Sequence, residues 1–256
     1  MKYGKTVPGI FLERKNRFVA LVEIDGRAET VHVKNTGRLK ELLKPGAQVI
    51  LVPSDNPNRK TRFDLVAAYR EGRLFNIDSL APNKVAAEYL PKLFQNITRL
   101  KPEAVRGASR LDYYLEAEGL VEEGEEGEAG IRKGASKRPK GAKGGAKSIR
   151  AFVEVKGVTL FKDGGAYFPD APTVRGIRHL DELAECANEG FFAAMLFVVQ
   201  FRGAAFVAPN DETSKAFGEA LRRARRAGVR LFALECEATQ DGLFPAGRLP
   251  VRAGGK

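Results

Sequence analysis

Four short runs carry the residue types needed to cut a phosphodiester: Ser109-Arg110-Leu111-Asp112, Glu154-Val155-Lys156, Phe168-Pro169-Asp170 and Gln200. In an extended strand side chains alternate, so Glu154 and Lys156 fall on one face while Val153 and Val155 pack on the other. An acid and a base are thereby held side by side. Asp112, on a neighbouring strand, is the natural second carboxylate, and Asp170 is a third candidate metal ligand. A carboxylate pair binds a hard cation such as Mg2+ or Mn2+ through oxygen and leaves coordinated water that can be oriented for in-line attack on phosphorus. Lys156 would position that water and offset charge in the transition state. Glu103, in a helix or loop upstream, is placed to reach the same site from outside. Each run taken alone is weak. Glu-x-Lys on a strand is usually a solvent-facing pair, and Gln200 at the end of an apolar run reads either as a satisfied core amide or as a site residue.

His32 and His179 are isolated; a surface or helix-capping role fits both better than metal ligation. No P-loop, dinucleotide-binding glycine fingerprint, H-E-x-x-H or G-x-S-x-G occurs in the chain, which argues against nucleotide hydrolysis, redox chemistry, zinc proteolysis and serine hydrolysis.

The elements that must position these residues divide the chain. At 256 residues it exceeds the usual single-domain size. Residues 1–80 read as short strands over 9–13, 17–24, 29–33, 47–52 and 62–69, separated by the hairpin dipeptide Asp25-Gly26, by Pro45-Gly46 and by the polar loop at 54–58. Five such strands fit a small OB-type barrel, with a helix expected over 37–43 after the third strand. From residue 81 helices alternate with strands: a helix over 82–94 bent near Pro91, strands over 110–116 and 151–156, a hairpin over 158–168, a helix before Gly190, an apolar strand over 194–201, a helix over 211–227 and a strand over 229–236. The fold class is therefore α+β, a barrel at 1–80 followed by a mixed α/β domain at 81–256. Residues 121–149 lack apolar periodicity and read as a mobile insertion between the strands of Asp112 and Glu154.

A net charge of +11 and a pI near 9.7 favour a polyanionic partner, nucleic acid before membrane surface. Arg38, Arg59, Lys60 and Arg62 on the barrel, with Arg110 and Arg175 beside the acidic runs, are the candidate phosphate contacts. Phe18, Phe63 and Tyr69 are available for base stacking, although a core role fits each better. Two cysteines without ligand spacing, no signal-type segment and no membrane-spanning run fit the cytoplasm.

At these residues the chain resembles the sugar fermentation stimulation protein A family. The matching runs include Asn35-Thr36-Gly37-Arg38-Leu39, Asn76-Ile77-Asp78, Gly107-Ala108-Ser109-Arg110-Leu111-Asp112, residues 152–160, the run from Phe168 to Gly176, and Phe197-Val198-Val199-Gln200, in order along nearly the whole chain. The resemblance implies an OB-fold followed by a domain similar to the PD-(D/E)xK nucleases, with DNA binding and a link to regulation of sugar utilisation. It assigns the nuclease-like motif to Glu103, Asp112, Glu154 and Lys156, with Asp170 and Gln200 nearby. A metal-dependent nuclease acting on DNA is the leading reading. The alternatives are a DNA-binding regulator that keeps the nuclease fold without turnover, and an RNA-binding module. Clustered carboxylates facing a polyanion favour catalysis, because nucleic acid repels them unless a cation intervenes. The oligomeric state is not legible.

Overall fold

The computed structural model describes residues 1–56, 58–107, 109–121 and 148–254. Five strands, β1 (Val7–Arg14), β2 (Val19–Ile24), β3 (Arg27–Val33), β4 (Gln48–Pro53) and β5 (Phe63–Arg70), form the N-terminal barrel. Asp25 and Gly26, both at positive φ, make the tight turn between β2 and β3. Antiparallel pairs join β1 to β2 and β4, β2 to β3, and β4 to β5, and a parallel pairing of β3 with β5 closes the ring. Phe11, Val22, Val31, Val49, Leu51 and Leu65 fill it, each at most 1% exposed.

The helix expected over 37–43 does not form. Leu42 and Leu43 both donate to the carbonyl of Leu39, whose φ of 49° is left-handed and breaks the helical path. Turns suffice here because Leu39 and Leu42 plug the barrel, and burying them outweighs the propensity of so short a segment.

A sixth strand, β6 (Arg73–Asn76), leads into helix α1 (Ala81–Tyr89), opened by Pro82 near its first turn. The second half holds β7 (Phe94–Arg106), β8 (Ser109–Leu120), β9 (Ile149–Val158), β10 (Leu160–Lys162), β11 (Gly165–Phe168), helix α2 (Val174–Asn188), β12 (Phe192–Val199), β13 (Val207–Pro209), helix α3 (Asp211–Arg226), β14 (Arg230–Thr239) and β15 (Gly242–Arg248). A six-stranded sheet runs in the order β15-β14-β12-β9-β8-β7, with β9, β12 and β14 parallel at its centre. Strand β12 is buried on both faces. Its Ala193, Met195, Phe197 and Val199 join a core with Leu180, Leu183, Phe217 and Leu221 of α2 and α3, whereas Ala194, Leu196 and Val198 pack in a second core with Val85, Ala86 and Tyr89 of α1. The core under α2 and α3 is continuous with the barrel interior, and Phe75 of β6 meets Phe201 at 4.6 Å between ring centroids.

Strand β7 was not expected; Glu103 sits in it rather than in a helix or loop. The expected insertion falls mostly on residues 122–147, outside the described residues. Among the described residues no helix is long and apolar enough to cross a membrane.

Candidate active site

Strands β8 and β9 bring the two principal carboxylates together. Their antiparallel register pairs Tyr113 with Val153, which sets Asp112 opposite Glu154. Each acid is held by the other's strand. The Asp112 N–H donates to Glu154 Oε2 at 3.2 Å, and the Val155 N–H donates to Asp112 Oδ2 at 2.8 Å. Asn83 of α1 donates its side-chain amide to Asp112 Oδ1 at 2.8 Å, while its carbonyl accepts from the Tyr113 hydroxyl at 2.7 Å.

Glu154 is 1% exposed, and its Oε1 accepts from both Lys156 and His179. These two donors stand 3.5 Å apart at Lys156 Nζ and His179 Nδ1. Arg175, one turn earlier on α2, donates from Nε to His179 Nε2 at 3.3 Å, so that nitrogen carries the lone pair and Nδ1 carries the proton given to Glu154. The helix that presents both residues starts at Thr173, whose hydroxyl accepts from the Gly176 N–H at 3.0 Å.

Burial pushes the Asp112 carboxyl up from its ordinary value, and the charge of Glu154 pushes it further, against the Val155 N–H and Lys156. Burial would raise Glu154 too, but the His179 hydrogen bond and the Lys156 charge outweigh it and hold Glu154 low. One acid is thus crowded and hungry for positive charge, while the other is firmly ionised. A pair of carboxylate oxygens in this state is a donor set of the kind that takes Mg2+ or Mn2+. Among the described residues no cluster of three or more His, Cys, Asp or Glu side chains is arranged to hold a metal, so the carboxylates available here are the pair Asp112 and Glu154.

The remaining expected residues scatter around this centre. Glu103 stands opposite Asp112 in the register of β7 and β8, at a positive φ of 50°, with its side chain exposed. Gln200 is buried and donates to Asn76 Oδ1 at 2.8 Å and to the Asp78 carbonyl at 3.1 Å rather than to either carboxylate. Asp170 is half-buried and lines a cleft whose lining includes neither Asp112 nor Glu154. Arg175 joins the site through His179, and Arg110 is exposed on β8. On the barrel, Arg59 is tied to Asp64 at 2.8 Å and Arg62 to Glu29 at 2.9 Å, whereas Arg38 and Lys60 are exposed. Phe18 is half-exposed rather than core.

Two members of the site, His179 and Asn83, were not anticipated. His179 is not on the surface: it is 1% exposed, in phase with the buried Leu183 and Cys186. That spacing was the available signal.

A cleft of about 390 Å3 opens between the barrel loop Asn35-Thr36-Gly37 and the wall from Phe168 to Thr173. Gly157 and Pro82, the sequence neighbours of Lys156 and Asn83, are among the residues that line it. A Cβ on Gly157 would stand 2.5 Å from Gln200 Oε1 and 2.7 Å from Pro82 Cγ, so only glycine fits there.

Comparison with known proteins matches residues 12–77 to the sugar fermentation stimulation protein N-terminal OB domain and residues 141–242 to the sugar fermentation stimulation protein RE domain. A sugar fermentation stimulation protein homolog from Desulfitobacterium hafniense strain Y51 is 44% identical over 95% of this chain and 94% of its own length. A homolog from Clostridium beijerinckii is 41% identical over 95% of this chain and 96% of its own. Among solved structures, Pyrococcus furiosus SfsA in complex with Ca2+ aligns with a TM-score of 0.79 at 30% identity, covering 98% of both chains.

Proposed function

The chain belongs to the sugar fermentation stimulation protein family, and on that premise we propose that it is a divalent-metal-dependent nuclease that binds DNA and hydrolyses its phosphodiesters, in the context of sugar utilisation to which the family name refers. The observation that carries this reading is Asp112 set opposite Glu154 on adjacent strands, with Lys156 two residues along the same strand. Like charges directly opposite in a sheet destabilise it, and an intervening cation removes the penalty. Crystallisation of the Pyrococcus furiosus relative with Ca2+, a hard oxygen-seeking cation, supports a divalent site in the family.

Asp112 and Glu154 would hold the ion, which when bound polarises a phosphoryl oxygen and activates water. Lys156 supplies positive charge beside the scissile phosphate. His179 keeps Glu154 ionised and oriented, Asn83 fixes the Asp112 carboxylate, and the exposed Arg175 offers its remaining donors to phosphate. Arg110, Arg38 and Lys60 extend the cationic surface, while Arg59 and Arg62 act mainly within barrel ion pairs.

A second reading, a regulator that binds DNA without cutting it, draws on one observation: Glu154 Oε1 already has two internal donors. Incubation of labelled single- and double-stranded DNA with Mg2+, Mn2+ or EDTA separates the two. Metal-dependent cleavage that disappears in Asp112→Ala supports the nuclease. Binding with no cleavage under any metal establishes the regulator.

A further inference from the structure

The cleft between the barrel loop and the wall at 168–173 accounts for Asp170, which the metal site leaves unused. We propose that it receives one unpaired guanine nucleotide of a single strand, with the base read by the Asp170 carboxylate. The inference rests on the nuclease reading for its substrate class.

The cleft volume of about 390 Å3 lies near the lower end of small-ligand sites, roughly 300–1,000 Å3, room for a nucleotide but not for a duplex. Its barrel wall is built in advance. The Arg14 guanidinium donates to the carbonyls of Asn35 at 2.9 Å, Gly37 at 2.8 Å and Arg38 at 2.7 Å, and also to Arg17 at 2.7 Å and Asn16 at 3.3 Å. Asn35 adds two bonds, accepting from the Gly37 N–H at 2.7 Å and donating to the Ile77 carbonyl at 2.9 Å. A loop fixed in this way loses little entropy when a ligand enters.

Asp170 lies against Gly37, where a Cβ would come within 2.5 Å of its Oδ2. Arg14 is near enough to feel its charge, yet spends its donors on backbone carbonyls. Among the described residues the Asp170 carboxylate makes no hydrogen bond or ion pair, and it lines the cleft. An ionised carboxylate only accepts. Guanine alone among the DNA bases offers two adjacent N–H donors, N1 and N2, on one edge; adenine and cytosine offer an amino group beside an acceptor, and thymine one imino N–H between two carbonyls. That guanine edge is free only when the base is unpaired. Gly157 and Pro82, which also line the cleft, are the sequence neighbours of Lys156 and Asn83, so a strand seated there lies near the segments that carry the site.

The test is fluorescence anisotropy with the full chain in EDTA, using a labelled oligothymidylate and versions carrying a single central dG, dA or dC. The dG strand should bind about tenfold tighter than the others, as a bidentate base contact implies, and annealing its complement should remove the gain. Asp170→Asn, confirmed folded by its melting temperature, should bind all four strands alike. Equal affinities for the unmodified protein, or a dG preference that survives Asp170→Asn, overturn the proposal. Free guanosine monophosphate that competes while dG in a strand gives no gain overturns it as well. Because these readings need no metal, a dG preference without cleavage sinks the nuclease reading and leaves the cleft assignment standing. Cleavage of every strand without preference does the reverse.

Discussion

Replacing Asp112 with asparagine should make the metal-free protein more stable while removing its reaction. Opposed cross-strand side chains stand about 5 Å apart, and two charges at that distance repel by about 3 kcal/mol at an effective dielectric constant of about 20. Lys156 and the hydrogen bonds from Val155 and Asn83 offset part of this cost. A net gain of about 1–2 kcal/mol is expected, which for a chain of this length raises the melting temperature by about 2–8 °C. The amide can keep the Val155 N–H with its oxygen, and a rotation of the Asn83 amide presents an acceptor to the new NH2. The pH dependence has a definite sign. The native pKa of Asp112 is raised, so between the unfolded carboxylate value, about 3.9, and the native one the folded state binds more protons, and stability falls as pH rises through that window. The advantage of Asp112→Asn should therefore be absent in acid, grow across the window and level off above it. Scanning calorimetry of both proteins in EDTA over that pH range measures it, and a repeat with Mg2+ should stabilise only the parent, since only the parent binds the ion. A variant that melts below the parent at neutral pH, or whose advantage does not change with pH, refutes the repulsion argument.

Glu154→Gln strands a nearly buried Lys156 and should cost about 3–5 kcal/mol in urea unfolding at neutral pH. Because the native pKa of Glu154 is lowered, the parent's corresponding stability is present above the unfolded carboxylate value and is lost as pH falls through the native one, so the gap to Glu154→Gln should close in acid. His179→Ala should lower stability by about 1–3 kcal/mol and reduce metal-dependent cleavage, with partial recovery in His179→Asn, whose amide can replace the Nδ1 donor; unchanged cleavage in both would show that His179 only packs. Gly157→Ala drives a Cβ into Gln200 and Pro82 and should cost about 1–3 kcal/mol while weakening single-strand binding, as a paired melt and anisotropy titration would record. Reversing the exposed Arg38 and Lys60 to glutamate should flatten the salt dependence of DNA affinity by about 0.7–0.9 per lost phosphate contact without moving the melting temperature, whereas Arg59→Glu should destabilise the barrel by breaking its bond to Asp64.

The barrel was legible because turn dipeptides and alternating β-branched residues repeat at short intervals, and strand β12 because a run buried on both faces has few polar letters. Strand β7 was hidden: among its thirteen residues only Phe94 and Ala104 are buried, and Pro102 interrupts it, so pairing with β8 rather than its own pattern makes it a strand. The helix expected at 37–43 failed because Arg14, far from it in sequence, gathers the loop carbonyls that helix formation would have used otherwise. Asp112, Glu154 and Lys156 were legible through strand periodicity and family resemblance. Asp170 stands elsewhere, because nothing in a linear spacing tells which side of a cleft a loop will form. His179 was assigned to the surface because a lone histidine in an amphipathic helix is read by type, whereas its burial follows from its phase with Leu183 and Cys186.

The continuous core beneath α2 and α3 bears on how the protein lives and dies. Phe75 against Phe201, the Asn76 N–H given to the Gln200 carbonyl at 2.9 Å, and the Gln200 amide given back to Asn76 at 2.8 Å rivet the barrel side to the end of β12, the strand paired with the Glu154 strand β9. Tied in this way among the described residues, the protein should take in a strand by threading rather than by clasping. Its two architectural halves should also melt in one step. A gene cut near residue 80 would leave each fragment with a raw apolar wound, so that a truncated product is degraded instead of surviving as a free reader or a free blade.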